Sequence, residues 1–198
     1  MSEELRKPRI YPRRIIERPR LIEELESSDA RVVLLIAGPG WGKTVLAEQW
    51  SGTHGISAGW YRTRSSAADV SMVVRGFVAA ADTVVSGTGR RLLERLAVTD
   101  DPGREAILLG EMLAVDLADW EADGWLVVDG YDEIAVSPQS EAFVEAVVLG
   151  SPARVMMIGS TRPAWSRAPE LAGTILELRE SALRVTLEEA LEMDAAPK

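Results

Sequence analysis

The chain has 198 residues, 46% of them hydrophobic, and a net charge of −9, which suffices for one substantial core and excludes a second full domain. It contains no cysteine and one histidine, which removes disulfides, thiolate nucleophiles, cysteine zinc sites and any histidine-built metal site. The apolar runs are of strand length and the N-terminus is polar and charged, so neither a membrane span nor a secretory signal is expected, and a cytoplasmic location is.

Residues 1–20 carry seven Lys or Arg against three Glu and form a basic arm. A short helix is predicted over 20–26, with Leu21, Ile22 and Leu25 at helical spacing and Ser27, Ser28 and Asp29 ending it. Strand one covers 31–36. A glycine-rich loop and a helix over 43–50 follow, then a loop carrying His54, read as exposed, and a second strand over 58–62. Val70, Val73, Val74, Phe77, Val78, Ala81, Val84 and Val85 fall on one face of a long amphipathic helix. Ser86 to Gly89 breaks that helix, a shorter one covers 91–96, and Asp101, Pro102 and Gly103 turn the chain into a helix ending near Trp120. Strand three is 125–128, the next helix 139–149, strand four 155–159 and strand five 175–178. Thr186 with Glu189 makes a capping box for a final helix that runs to Met193. Largely apolar strands alternating with helices imply an α/β fold with a parallel sheet covered on both faces.

Charge also separates along the chain. Residues 100–149 hold thirteen Asp or Glu against one basic residue, Arg104. Such a surface repels nucleic acid, so no direct nucleic-acid contact is expected from this segment.

Directly after strand one, residues 37–44 read Ala37, Gly38, Pro39, Gly40, Trp41, Gly42, Lys43 and Thr44, with Val45 next. Glycines let the backbone curl so that successive N–H groups face inward, where a Cβ would obstruct an approaching phosphate. Lys43 can reach the β- and γ-phosphates, Thr44 can place a hydroxyl on Mg²⁺, and the helix that starts here adds its positive dipole end. Ala37 stands where the usual pattern has its first glycine, and a small residue closing a strand is tolerated there. A glycine-rich turn with no ligand is the plain alternative, but it has no need of Gly-Lys-Thr behind an apolar strand.

A second constellation begins at the end of strand three, where Asp129, Gly130, Tyr131, Asp132 and Glu133 follow an apolar run. An apolar strand ending in Asp places a carboxylate at the carboxyl edge of the sheet, where ligands of parallel sheets collect. Asp129 is the expected Mg²⁺ partner through water, with Thr44 and phosphate oxygens as the other ligands. Asp132 and Glu133 are the candidates to orient or deprotonate an attacking water; acidic loop residues without a role are the alternative. A third constellation follows strand four. If that strand lies between strands one and three, Ser160, Thr161 and Arg162 emerge beside the γ-phosphate, and a hydroxyl there can report its presence. Arg162 then pairs with phosphate or with Asp129, or it is a surface arginine after a strand. Trp60, Trp125 and Trp165 read as packing residues.

Glu17-Arg18-Pro19-Arg20-Leu21-Ile22-Glu23-Glu24-Leu25, the loop from Ala37 to Thr44, Gly59-Trp60, Ser160-Thr161-Arg162-Pro163 and residues 178–190 together resemble the nucleotide-binding domain of STAND ATPases. The subgroup they look like is the large ATP-binding LuxR-type transcription regulators typified by the maltose activator. That subgroup shows two consecutive aspartates at the end of strand three, whereas this chain has Asp129-Gly130. The order Asp-Gly-aromatic-Asp-Glu resembles instead the NACHT branch of the same superfamily. Position 130 cannot act as a base, so hydrolysis must use Asp132 or Glu133.

The resemblance implies a P-loop NTPase three-layer sandwich of the ASCE type, with five parallel strands in the order 5-1-4-3-2. It implies a core over 31–180, preceded by an arm and short helix over 1–30 and followed by an exit helix over 181–198 leading toward a further module. ATP, ADP and Mg²⁺ are the implied ligands. ADP would hold a closed form, ATP an open form able to self-associate, and slow hydrolysis would reset the switch. Arg18 would border the adenine, unless the arm is a flexible tail. Two competitors share the fold. A small-molecule phosphotransferase needs an acceptor pocket and an arginine-bearing lid, for which only Arg162 and Arg167 are at hand. A nucleotide-binding scaffold without hydrolysis is favoured by Gly130 and by the lack of an arginine finger in cis.

Overall fold

The computed structural model describes residues 16–53, 56–63, 69–120 and 123–190; His54, most of the basic arm and the expected helix end at Met193 lie outside them. Strands β1 (Val32–Ile36), β2 (Ser57–Arg62), β3 (Gly124–Asp129), β4 (Arg154–Gly159) and β5 (Ile175–Arg179) pair in one all-parallel sheet. Their order, β2-β3-β4-β1-β5, is the order 5-1-4-3-2 that the sequence resemblance implies. The helices are α1 (Pro19–Glu26), α2 (Lys43–Thr53), α3 (Val70–Asp82), α4 (Arg90–Val98), α5 (Ala106–Asp116), α6 (Asp132–Ala135), α7 (Pro138–Gly150) and α8 (Glu180–Leu183).

The central strands are apolar at nearly every position because both faces are covered, and their two-residue period sorts side chains between two cores. Val32, Leu34, Leu126, Val128, Val155 and Met157 join the core under α3, α5 and α7. Val33, Leu35, Trp125, Val127, Met156 and Ile158 join the opposite core with Leu21 and Leu25 of α1 and Leu46 and Trp50 of α2. Helix, sheet and helix thus make the three layers of a P-loop NTPase sandwich. Among the described residues no helix is long and apolar enough to cross a membrane.

Several helix ends differ from the periodicity. The stripe predicted to reach Val85 is helical only to Asp82, because the Thr83 hydroxyl donates back to the Ala80 carbonyl at 2.7 Å and Asp82 accepts the Gly87 amide at 2.6 Å. Val84 and Val85 still pack on the core from that turn. Helix α5 stops at Asp116, short of Trp120, whose indole N–H donates to the Gly124 carbonyl at 2.7 Å and leads the chain into β3. The short α6 and α8, and two 3-10 turns over Ala164–Arg167 and Pro169–Leu171, are too brief to leave a periodic stripe. The capping box is present: the Thr186 amide donates to Glu189 Oε2 at 2.9 Å, the Glu189 amide donates to Thr186 Oγ1 at 3.2 Å, and residues 187–190 are helical.

Two glycines seat α3 on the edge strand β2. A Cβ at Gly59 would fall 2.0 Å from the Ala80 carbonyl oxygen, and one at Gly76 would fall 2.1 Å from the Tyr61 ring. The helix backbone cannot withdraw without opening the core around Phe77. Gly59→Ala is therefore expected to destabilise the fold by about 1–3 kcal/mol through overpacking, read as a lower urea midpoint at unchanged slope; a midpoint equal to wild type would contradict this packing.

Candidate phosphate-binding site

The register of the sheet sets the site. Ile36 at the end of β1 pairs with Gly159 of β4 on one side and Arg179 of β5 on the other, while Asp129 of β3 pairs with Ile158 of β4. The residues that follow these strands therefore emerge together at the carboxyl edge. Between β1 and α2 the loop turns through Gly40 and Gly42, at φ +84° and +74°, a left-handed backbone that side chains with a Cβ disfavour. Ala37, in place of the usual first glycine, is buried and donates its amide to the Gly159 carbonyl at 3.1 Å, so its methyl extends the core rather than the loop.

A cleft of about 520 Å³ lies over this loop, within the range of small-molecule sites. Ala37 and residues 39–45 of the loop and α2 line it together with Asp129, Gly130, Asp132, Ile158, Gly159 and Ser160. Lys43 Nζ donates to the carbonyls of Ala37 and Gly38 at 2.6 and 2.7 Å, which folds its stem over the loop. Burial lowers the Lys43 pKa, and the charges of Asp132, Asp129 and Glu180 act in the opposite direction. The Thr44 hydroxyl donates to the Asp129 carboxylate, 3.1 Å from both Oδ1 and Oδ2. A hydroxyl and a carboxylate from separate elements thus meet at the start of α2. Among the described residues no cluster of three acidic or histidine ligands could cage a metal. The Thr44 and Asp129 oxygens do suit a hard cation such as Mg²⁺, which takes few protein ligands and relies on phosphate and water for the remainder.

Asp132 lines the cleft but is turned toward β4, where its carboxylate accepts from the Ser160 amide at 2.8 Å and from the Ser160 hydroxyl and Thr161 amide at 2.9 Å. Partial burial favours its protonated form, yet the hydrogen bonds from Ser160 and Thr161 hold the carboxyl below the usual range. Glu133 is exposed and is not part of the cleft wall. Arg162 is directed away from the loop: Nε donates to Ser166 Oγ at 2.9 Å and lies 3.7 Å from Glu177 Oε2. Neither Asp129 nor the cleft receives it. Arg18 is buried, donates to the Leu183 carbonyl and lies 3.6 Å from Glu189 Oε2. Its Nη1 also lies 3.6 Å from where a Gly42 Cβ would stand, so it backs the loop from outside the cleft. The Gly38 amide faces Glu180 Oε1 at 3.4 Å.

Three further residues around the strand ends escape sequence reasoning. Thr63 donates its hydroxyl to the carbonyls of Asp129 and Gly130 at 3.1 and 2.7 Å, and the pairing of Arg62 with Asp129 is the only signal that places it there. Glu180 follows Arg179, the partner of Ile36, which puts it beside the loop. Glu141 links the Tyr131 hydroxyl to the Ala164 amide, a contact no local pattern announces.

No protein-family model matches the sequence, and no curated protein matches it. Among solved structures, the chain is similar to a signal transduction ATPase with numerous domains (STAND) carrying a tetratricopeptide repeat sensor, from Pyrococcus horikoshii, with a TM-score of 0.58 at 14% identity. The similarity covers 90% of this chain and 25% of that one, so the chain spans about a quarter of that protein's length. The shared feature is the fold.

Gly130 explains why the strand end reads Asp-Gly. It sits at φ +91°, and a Cβ there would fall 2.3 Å from the Thr63 hydroxyl oxygen. Gly130→Asp, which would supply the second consecutive aspartate, is expected to cost about 1–3 kcal/mol in backbone strain and to lower the melting temperature; a variant as stable as wild type in thermal denaturation would contradict the geometry.

Proposed function

We propose that this chain is the nucleotide-binding switch core of a STAND-type signalling or transcriptional regulator. The observation that carries the reading is the meeting of the Thr44 hydroxyl and the Asp129 carboxylate beside Lys43, on a loop whose glycines adopt left-handed backbone. A triphosphate seated on the loop amides would be met by the Lys43 ammonium and by the N-terminus of α2. Mg²⁺ would be held by Thr44 and, through water, by Asp129, where it would offset phosphate charge. Adenine as the base, a LuxR-type setting, a NACHT-like acidic motif, nucleotide-dependent self-association and a cytoplasmic location come from the sequence resemblance and are part of the same proposal.

The proposed hydrolysis is slow. Asp132 and Glu133 are the acidic residues after β3, but one is bound to the loop after β4 and the other is exposed outside the cleft wall. Arg162, the arginine that follows β4, is paired with Ser166 and Glu177. An arginine finger contributes roughly 10³ to 10⁵ in rate. The same observation favours, as a second reading, a scaffold that binds nucleotide without turning it over.

Binding only to the folded chain stabilises it by mass action, by about 2.7 kcal/mol at a hundredfold excess over Kd. Saturating ADP with Mg²⁺ is therefore expected to raise the melting temperature of wild type and to leave that of Lys43→Ala unmoved, while phosphate release from ATP is slow and lost in the variant. Equal shifts in both proteins would overturn the site. Release that requires an added acceptor would favour the phosphotransferase.

A further inference from the structure

The turn between α3 and α4 pins the two helices against each other. Gly87 and Gly89 carry it at φ +89° and +77°, and a Cβ on Gly89 would fall 2.6 Å from Val78 Cγ2, so only glycine lets the start of α4 lie this close to α3. The Gly89 amide donates to Asp116 Oδ2 at 2.9 Å, the Gly87 amide to Asp82 Oδ1 at 2.6 Å and the Thr88 hydroxyl to the Val85 carbonyl at 2.6 Å. Leu92 and Leu96 bury the inner face of α4. Between the helices remains a groove of about 540 Å³, and none of the residues of the phosphate cleft lines it. Val78, Ala79 and Leu93 are its apolar wall, and Arg75, Asp82 and Arg90 are its charges.

Those two arginines stand apart from others in this chain. Arg62, Arg95, Arg162 and Arg179 each pair with a glutamate. Arg75 and Arg90 are exposed and make no hydrogen bond, ion pair or ring contact among the described residues. Asp82 commits one oxygen to the Gly87 amide, and two arginines against one aspartate leave the groove with a surplus of one positive charge. Arg90 is also set against the helix field. It opens α4, whose first turn holds no acidic residue and whose Ncap, Gly89, offers no side-chain cap. Aligned peptide dipoles disfavour a cation at that end. Residues that break a local rule with no compensating partner in the fold concentrate at functional sites.

We propose that the groove between α3 and α4 binds a small amphiphilic carboxylate, its head group on Arg75 and Arg90 and its hydrocarbon on Val78, Ala79 and Leu93. Guanidinium forks take carboxylate oxygens in pairs, and an anion at the start of α4 offsets the misplaced charge of Arg90. A surplus of one positive charge matches a monoanion better than a phosphate dianion. The apolar wall calls for a chain or ring behind the head group, and the volume is that of a small-molecule site. This groove is separate from the phosphate cleft, and its occupancy does not depend on the nucleotide reading.

Octanoate serves as the probe, titrated calorimetrically into wild type, Arg75→Gln, Arg90→Gln, the double variant and Lys43→Ala, with acetate and octylamine as comparators and circular dichroism as the check on folding. Saturable octanoate binding is expected in wild type and equally in Lys43→Ala. Each single arginine variant is expected to bind about tenfold more weakly, as the loss of a hydrogen bond to a charged group implies, and the double variant not measurably. Acetate, which lacks the chain, is expected to bind at least about tenfold more weakly than octanoate, and octylamine not to bind. Since Arg75 and Arg90 hold nothing in the fold, the double variant is expected to melt no lower than wild type. Octanoate binding that survives in the double variant, or that is lost in Lys43→Ala instead, overturns the proposal, as does octylamine binding of equal strength. Wild type that binds Mg-ADP but not octanoate overturns it too and leaves the nucleotide reading standing.

Discussion

Because β3, β4 and β1 run parallel, with Asp129 opposite Ile158 and Gly159 opposite Ile36, three strand ends stop at one level and the groups of the cleft depart from there. A shift of one residue in either pairing would carry the Asp129 carboxylate away from Thr44 and turn each strand's side chains to the opposite face. The alternation of Val32, Leu34 and of Val33, Leu35 between two cores makes such a shift costly. Burial of the sheet therefore fixes the distance between the loop and the acidic strand end, and the site inherits its geometry from the packing beneath it.

The parts legible in the sequence are those written locally. Apolar runs of strand length, the heptad-like stripe from Val70 to Val78, the glycines of the loop and the Thr186–Glu189 box each declare themselves within a few residues, and the structure contains them. The Thr44 and Asp129 pairing was legible because two such patterns, each weak or ambiguous alone, belong to one constellation. The parts that were not legible depend on partners distant in sequence. Nothing near Asp132 announces that Ser160, twenty-eight residues on, will occupy its carboxylate. Arg162 follows an apolar strand as a phosphate-binding arginine would, yet the 3-10 turn of Ala164–Arg167 brings Ser166 within its reach and Glu177 holds it there. Helix ends depart from the periodicity for the same reason: Thr83 and Trp120 close their turns through side-chain bonds that periodicity does not record.

Electrostatics around Lys43 sharpen what the cleft can accept. One ammonium, its charge disfavoured by burial, is set in the fields of Asp132, Asp129 and Glu180. A polyphosphate entering alone would meet more negative than positive charge. Loop amides and the α2 dipole offset part of that repulsion, but a divalent cation beside Thr44 and Asp129 would offset more. Arg18 and Arg20 cannot serve, since they are turned to the Ala182 and Leu183 carbonyls and to Glu189 in the segment after β5. Under the proposed reading the acidic strand end is thus a demand for metal as much as a ligand to it.

The central claim, that the loop and Asp129 share one metal-chelated polyphosphate, is tested most directly by calorimetric titration of ATP into the chain with Mg²⁺ and then with a chelator. The account predicts saturable binding that weakens sharply when Mg²⁺ is withdrawn. Binding of equal strength in the presence of chelator, or no binding with Mg²⁺ present, would contradict it.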